Sequence, residues 1–160
     1  MMNYKDEGIN GNVKGIDFLF KKNKVNSVYG AAKILPNNQI NSELNDGGEK
    51  LIQATNIVIA TGSVSAPLSG IEIDEKDIVS STGALSLESI PEKLVIVGGG
   101  YIGLELGSVW SRLGSKVTVI EYLDKIAPGL DGELSSEFQK ILKKQGLEFI
   151  TGTKVSGVDK

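Results

Sequence analysis

Leu94-Val95-Ile96-Val97-Gly98-Gly99-Gly100-Tyr101-Ile102-Gly103-Leu104-Glu105 decides how this chain folds, together with Glu121 at the end of the next apolar run. Four apolar residues run into three glycines, and a stretch with helical character follows at once. The second apolar run, Val117–Ile120, closes on the acid. This order predicts a strand, a tight turn, a helix and a second strand, the opening of a parallel βαβ unit.

Each glycine has a mechanical role in that reading. Gly98 permits the tight turn off the strand, and Gly103 lets the helix lie close to the sheet. Gly100 carries no side chain, so a pyrophosphate can approach the backbone. The helix N-terminus adds unpaired N–H groups and about half a positive charge. Glu121 stands 21 residues beyond Gly100, where a carboxylate accepts hydrogen bonds from ribose hydroxyls. A glycine-rich turn in an unrelated sheet is the competing reading. The strand before, the helix after and the acid beyond favour a dinucleotide site. A 2′-phosphate would be repelled by Glu121 and would want an arginine nearby. Arg112, the one arginine of the sequence, lies on the preceding helix, so NAD is expected rather than NADP. Glu105 admits two readings: a solvated helix position, or a carboxylate aimed at a redox centre. Tyr101 either covers a nicotinamide pocket or packs on the sheet.

Around this stretch the chain is readable in both directions. Val13, Ile16, Leu19 and Phe20 fall at helical offsets within residues 12–23. Residues 25–54 read as a small antiparallel meander, with turns at Pro36-Asn37-Asn38 and Asn45-Asp46-Gly47-Gly48. Thr55 to Gly62 reads as a buried strand ending in a tight turn. Residues 63–78 form a loop, and Ser80–Leu85 suits a short capped helix. After Pro91 come a strand (Leu94–Val97), a helix (Tyr101–Leu113, stopped by Gly114) and a strand (Val117–Ile120). A helix opening at Asp131, with Leu134, Phe138, Ile141 and Leu142 on one face, and a strand at Leu147–Ile150 complete the series. The fold class is α/β: a meander plus strand, followed by an incomplete Rossmann-like βαβαβ unit with right-handed crossovers.

Composition narrows the function classes. Among 160 residues, 40% are hydrophobic and 23% charged, with a net charge of −3. This is ordinary for a globular protein and lacks the basic excess of a nucleic-acid binder. No cysteine and no histidine are present, which excludes disulfides, thiolate metal sites and thiol catalysis by these residues. No apolar run approaches the roughly 20 residues of a membrane span. Met1-Met2-Asn3-Tyr4-Lys5-Asp6-Glu7 has no apolar core for a secretory signal. A soluble cytoplasmic chain is expected, with neither nucleic-acid nor membrane partners.

Gly98 to Trp110, then Arg112-Leu113-Gly114 and Val117-Thr118-Val119-Ile120-Glu121, resemble the NAD site of the dihydrolipoamide dehydrogenases, class I pyridine nucleotide-disulfide oxidoreductases. Ile78 to Leu87 and Pro91-Glu92-Lys93 are similar to the family's connection before that site. Thr55 to Gly62 matches its T-x-x-x-x-A-T-G pattern. Phe138 to Gly146 and Thr153-Lys154-Val155 also fit, as do Gly15-Ile16 and Phe20 to Val25. The resemblance therefore covers nearly the whole chain.

The resemblance implies cofactors and roles. Gly98, Gly99, Gly100, Tyr101, Ile102, Gly103, Leu104 and Glu105 would bind NAD, with Glu121 on the adenine ribose. Ala60, Thr61 and Gly62 would lie against FAD, and Gly30 would meet its adenine. Glu105 matches a carboxylate beside the flavin. Residues 1–90 would be the C-terminal part of an FAD-binding domain and 91–160 the N-terminal part of an NAD-binding domain. The family's first GxGxxG and its Cys-x₄-Cys disulfide would lie upstream of these residues, and its His-Glu pair in a later dimerisation domain. The implied parent is a homodimer of the 2-oxoacid dehydrogenase complexes that oxidises dihydrolipoamide with NAD⁺. These residues alone are expected to be inactive and to supply no catalytic side chain. A non-catalytic NAD-binding module and a non-functional remnant of an interrupted gene are the alternatives.

Overall fold

The computed structural model describes residues 1–159. The chain divides into two compact units, residues 1–63 and the chain from Val64 onward.

The first unit contains α1 (Met2–Lys22) and a three-stranded antiparallel sheet of β1 (Gly30–Leu35), β2 (Gln39–Leu44) and β3 (Glu49–Gln53). Register pairs Ile34 with Ile40, and Ile40 with Ile52. Turn chemistry fixes it locally. Asn37 and Asn38 have φ of 60° and 56°, and Gly47 and Gly48 have 98° and 85°. Asparagine and glycine tolerate this left-handed backbone best. The expected meander is present, but its first strand starts at Gly30 rather than near Val25. The helix starts ten residues before the periodicity at 12–23 indicated. Gly8 and Gly11 interrupt the apolar pattern there, but the backbone continues helical through both. No residue of α1 is buried.

The expected buried strand at Thr55–Gly62 is not formed. Residues 55–62 belong to no strand, and Val58 and Ile59 are 87% and 70% exposed. An apolar run becomes a strand only where neighbouring strands take up its backbone N–H and C=O groups. Here β1, β2 and β3 pair with one another instead.

The second unit runs α2 (Ser81–Ala84), β4 (Lys93–Val97), α3 (Tyr101–Arg112), β5 (Lys116–Ile120), α4 (Gly132–Lys144) and β6 (Glu148–Ile150). Ser80 caps α2, its Oγ accepting the Thr82 N–H at 3.1 Å. Strands β4, β5 and β6 form one parallel sheet in that order, as the βαβαβ reading requires. Leu94 pairs with Val117, Ile96 with Val119, and Val119 with Phe149, so these side chains share a face. Helix α3 closes over that face. A Cβ on Gly107 would stand 2.6 Å from Ile96 Cδ1 and 3.3 Å from Val117 Cγ1. Leu104, Trp110, Val117, Val119, Leu142 and Leu147 are buried. Val95 and Val97 point to the opposite face and are 59% and 47% exposed.

In α4 the inward face differs from the expected one. Ser135 and Leu142 are buried with Phe138 and Gln139 half-buried, whereas Leu134 and Ile141 are exposed. Ser135 takes an inward position on this face and donates a buried hydrogen bond to the Ile126 carbonyl.

Overpacking a close helix–strand contact typically costs about 1–3 kcal/mol. Gly107→Val is therefore expected to lower stability by that amount, read as a lower urea midpoint of the second unit's helical signal.

Candidate functional site

The glycine turn between β4 and α3 is held by the segment that follows β5. Three successive peptide groups are gripped in turn. The Gly98 N–H donates to the Ile120 carbonyl at 2.8 Å. The Gly99 N–H donates to Glu121 Oε2 at 2.5 Å. The Gly99 carbonyl accepts the Ala127 N–H at 2.7 Å. Gly98 adopts φ +102°, which glycine alone reaches without strain.

Glu121 is nearly buried, at 8% exposure. Its second oxygen, Oε1, accepts the Leu123 N–H at 2.8 Å. Both carboxylate oxygens are thus engaged by backbone, and each keeps acceptor capacity for another donor. The charge is stabilised at the mouth of the turn by those N–H groups.

Each glycine of the turn meets a different neighbourhood. A Cβ on Gly99 would lie 3.1 Å from Glu121 Oε2 and 3.2 Å from Ile126 Cγ2. A Cβ on Gly103 would lie 2.9 Å from Ile96 Cγ2 and 3.1 Å from the Gly98 carbonyl. Gly100 is the exception. It is the N-cap of α3 with φ −73°, and a Cβ there meets nothing within 4 Å. Nothing in the protein's own packing or backbone demands a glycine at that position.

The structure brings Gly98 to Glu105 and Glu121 together in the second unit. Leu104 is buried under the sheet at 1% exposure, while Tyr101 and Ile102 are exposed at 71% and 50%. Glu105 is exposed on the same side of α3 as Tyr101 and Ile102. Arg112 Nε donates to the Ser108 carbonyl of its own helix at 3.1 Å. Gly30, Ala60, Thr61 and Gly62 belong to the first unit. Gly30 opens β1, where a side chain would run into the Glu43 carbonyl. Ala60, Thr61 and Gly62 are exposed, and Gly62 has φ +77°. Among the described residues no cluster of three or more His, Cys, Asp or Glu could hold a metal. No helix among them is long and apolar enough to cross a membrane.

Three residues outside the sequence pattern complete the site. Ile126 is fully buried, Ala127 carries the left-handed φ of +43°, and Ser135 is 1% exposed. Ser135 Oγ donates to the Ile126 carbonyl at 2.6 Å. The one local signal for them was a serine among the apolar positions that open α4.

A parallel strand–glycine turn–helix unit closed by an acid defines a Rossmann-like dinucleotide-binding class of fold. Residues 4–160 match the family model of the pyridine nucleotide-disulphide oxidoreductases, and the chain belongs to that family. It is 55% identical to dihydrolipoamide dehydrogenase from Chaetomium thermophilum, over 100% of this chain and 32% of the relative. It is 54% identical to the mitochondrial dihydrolipoyl dehydrogenase of Dictyostelium discoideum, over 100% of this chain and 33% of the relative. Among solved structures, the HOCl-induced flavoprotein disulfide reductase RclA from Escherichia coli, in a Cu(II) complex, superposes with a TM-score of 0.83 at 28% identity. That match covers 99% of this chain and 36% of the other. The chain spans about a third of the length of the curated relatives it matches.

Alanine at the three turn glycines should separate structural from surface demands. Gly98→Ala and Gly99→Ala are expected to lose about 1–3 kcal/mol, the first through backbone strain and the second through overpacking. Gly100→Ala is expected to lose less than about 1 kcal/mol. Thermal melts of the three variants check the order.

Proposed function

We propose that the glycine turn and Glu121 bind NAD(H), and that the chain serves as the NAD-binding part of a dihydrolipoamide dehydrogenase. The observation that carries this reading is Gly100. Neither its φ nor its surroundings excludes a side chain. A phosphate that must touch the backbone at a helix N-terminus does exclude one. Glu121 supports it, with spare acceptor capacity for ribose hydroxyls beside the turn.

In this assignment the backbone at Gly98 to Gly103 holds the pyrophosphate, and Tyr101, Ile102, Leu104 and Glu105 shape the helix beside it. Glu121 orients the adenine ribose and disfavours a 2′-phosphate by like-charge repulsion. NAD(H) supplies hydride acceptance or donation once bound. The first unit contributes to FAD binding through Gly30 and the exposed turn at Ala60, Thr61 and Gly62, where a Cβ on Gly62 would meet nothing within 4 Å. Its support is the family membership and the 50–55% identity to dihydrolipoyl dehydrogenases. We divide the function at residue 90, with the FAD part before it and the NAD part after it.

The sequence has no cysteine, so the thiolate that attacks a disulfide is not among these residues. The 160 residues are therefore proposed to bind nucleotide without catalysing lipoamide turnover on their own. Dihydrolipoamide as substrate, a homodimeric parent and a place in 2-oxoacid dehydrogenase complexes follow the same reading. Cytoplasmic residence is part of the same proposal and fits the cysteine-free composition, and the mitochondrial names of several relatives make that compartment the alternative.

Titration of NADH fluorescence with the purified chain tests the assignment. Saturable binding is expected, weakened at least about tenfold by Gly100→Val and by Glu121→Ala, because a buried charge-assisted contact contributes about 1.5–3 kcal/mol. No saturable change with the wild-type chain would sink the assignment. A lipoamide-dependent NADH assay with added FAD is expected to show only the blank rate.

A further inference from the structure

The Ser135 hydroxyl donates to the Ile126 carbonyl at 2.6 Å, at 1% exposure of the serine. The carbonyl of Ile126 and the N–H of Ala127 belong to one peptide group. That N–H donates to the Gly99 carbonyl at 2.7 Å. The Gly99 carbonyl and the Gly100 N–H again belong to one peptide group. In a planar trans peptide the C=O and N–H point in opposite directions. The Gly100 N–H therefore points away from Ala127, at the exposed N-cap of α3. Hydrogen bonds in such a chain polarise one another, and more so where water is excluded. Ile126 is fully buried and Ala127 is 7% exposed, so the first two links are dry.

We propose that Ser135 is a positioning residue of the nucleotide site, acting through the Ile126–Ala127 and Gly99–Gly100 peptides on the N–H that faces the pyrophosphate. The proposal rests on the NAD(H) reading given above and deepens it. It assigns a function to three features that the glycine pattern does not explain. The left-handed φ of +43° at Ala127 turns the chain away directly after the N–H that bonds to Gly99. The buried Ile126 side chain anchors the turn against Gly99. Helix α4 places a serine inward while Leu134 is exposed. Ser135 never touches the nucleotide. Its effect is confined to ligands that carry phosphate at the turn.

That confinement supplies the test. The full chain and its Ser135→Ala variant are titrated with NADH and with adenosine, at a temperature where both are folded by circular dichroism. NADH binding is expected to weaken about two- to threefold in Ser135→Ala, a fraction of one charge-assisted hydrogen bond, because each link passes on only part of its strength. Adenosine, which lacks the pyrophosphate, is expected to bind unchanged. Amide NMR of the nucleotide-free protein gives an independent reading. The Gly100 amide proton is expected to move upfield in the variant by more than that of Gly98, which is bonded to Ile120 outside the relay. Equal weakening of NADH and adenosine, unchanged NADH binding, or a stationary Gly100 amide would each overturn the relay. An absence of NADH binding by the wild-type chain would instead overturn the nucleotide reading, and with it the role given to Ser135. If Ser135→Ala does not fold, the same comparison is made with Ser135→Cys, which keeps the shape but donates only weakly. The same selective loss of NADH affinity is expected, and none would overturn the proposal.

Discussion

The three-peptide grip on the glycine turn is the constraint on which the second unit depends. A chain reversing from β4 into α3 exposes its backbone groups before the helix can pair them. Here Ile120, Glu121 and Ala127 take up those of Gly98 and Gly99 in succession. The donors and acceptors come from one segment, so the end of β5 and the turn after β4 are organised together. Glu121 is central because one carboxylate spans two loops, from the Gly99 N–H to the Leu123 N–H. A glutamine of the same length could accept only one of these two bonds, because its other terminal atom is a donor that would face an N–H.

The grip works only because the helix sits close to the sheet. Gly103 and Gly107 lie one turn apart on α3, and both face Ile96. Their missing side chains let the N-terminus of α3 reach the end of β4. Trp110 then ties the far end of α3 to α2, its Nε1 donating to the Ala84 carbonyl at 3.2 Å. Ser115 secures the start of β5 to Pro91 through a 2.6 Å hydrogen bond. Loop geometry at the site is thereby linked to packing throughout the second unit.

Much of this architecture was legible in the residues because it is decided locally. Asn37-Asn38 and Asp46-Gly47 announce their hairpins, and Asp131, Gly114 and Gly146 announce helix ends. Each does so through backbone preferences that need no distant partner. Gly98 and Gly103 were legible for the same reason, since the turn and the close helix–strand approach are consequences of their missing side chains. The misreadings lie where distant groups decide. Thr55 to Gly62 has a strand's composition but no strand beside it. The inward face of α4 includes Ser135, whose hydroxyl partner at Ile126 is invisible to a hydrophobic count. The demand for glycine at 99 is likewise set by Glu121 and Ile126, 22 and 27 positions away.

The uneven burial of the two units has a consequence for motion. Every buried hydrophobic side chain of the described residues lies in the second unit, from Leu104 to Leu147. The antiparallel sheet of the first unit is held by its ladder and turns, with Ser42 its one buried side chain. Amide protons in a ladder without a dry core exchange with solvent through local openings, whereas those under a packed helix wait for cooperative unfolding. Deuterium should therefore enter β1 to β3 well before β5. The strand order of exchange would map the chain as a rigid parallel sheet and a breathing antiparallel one.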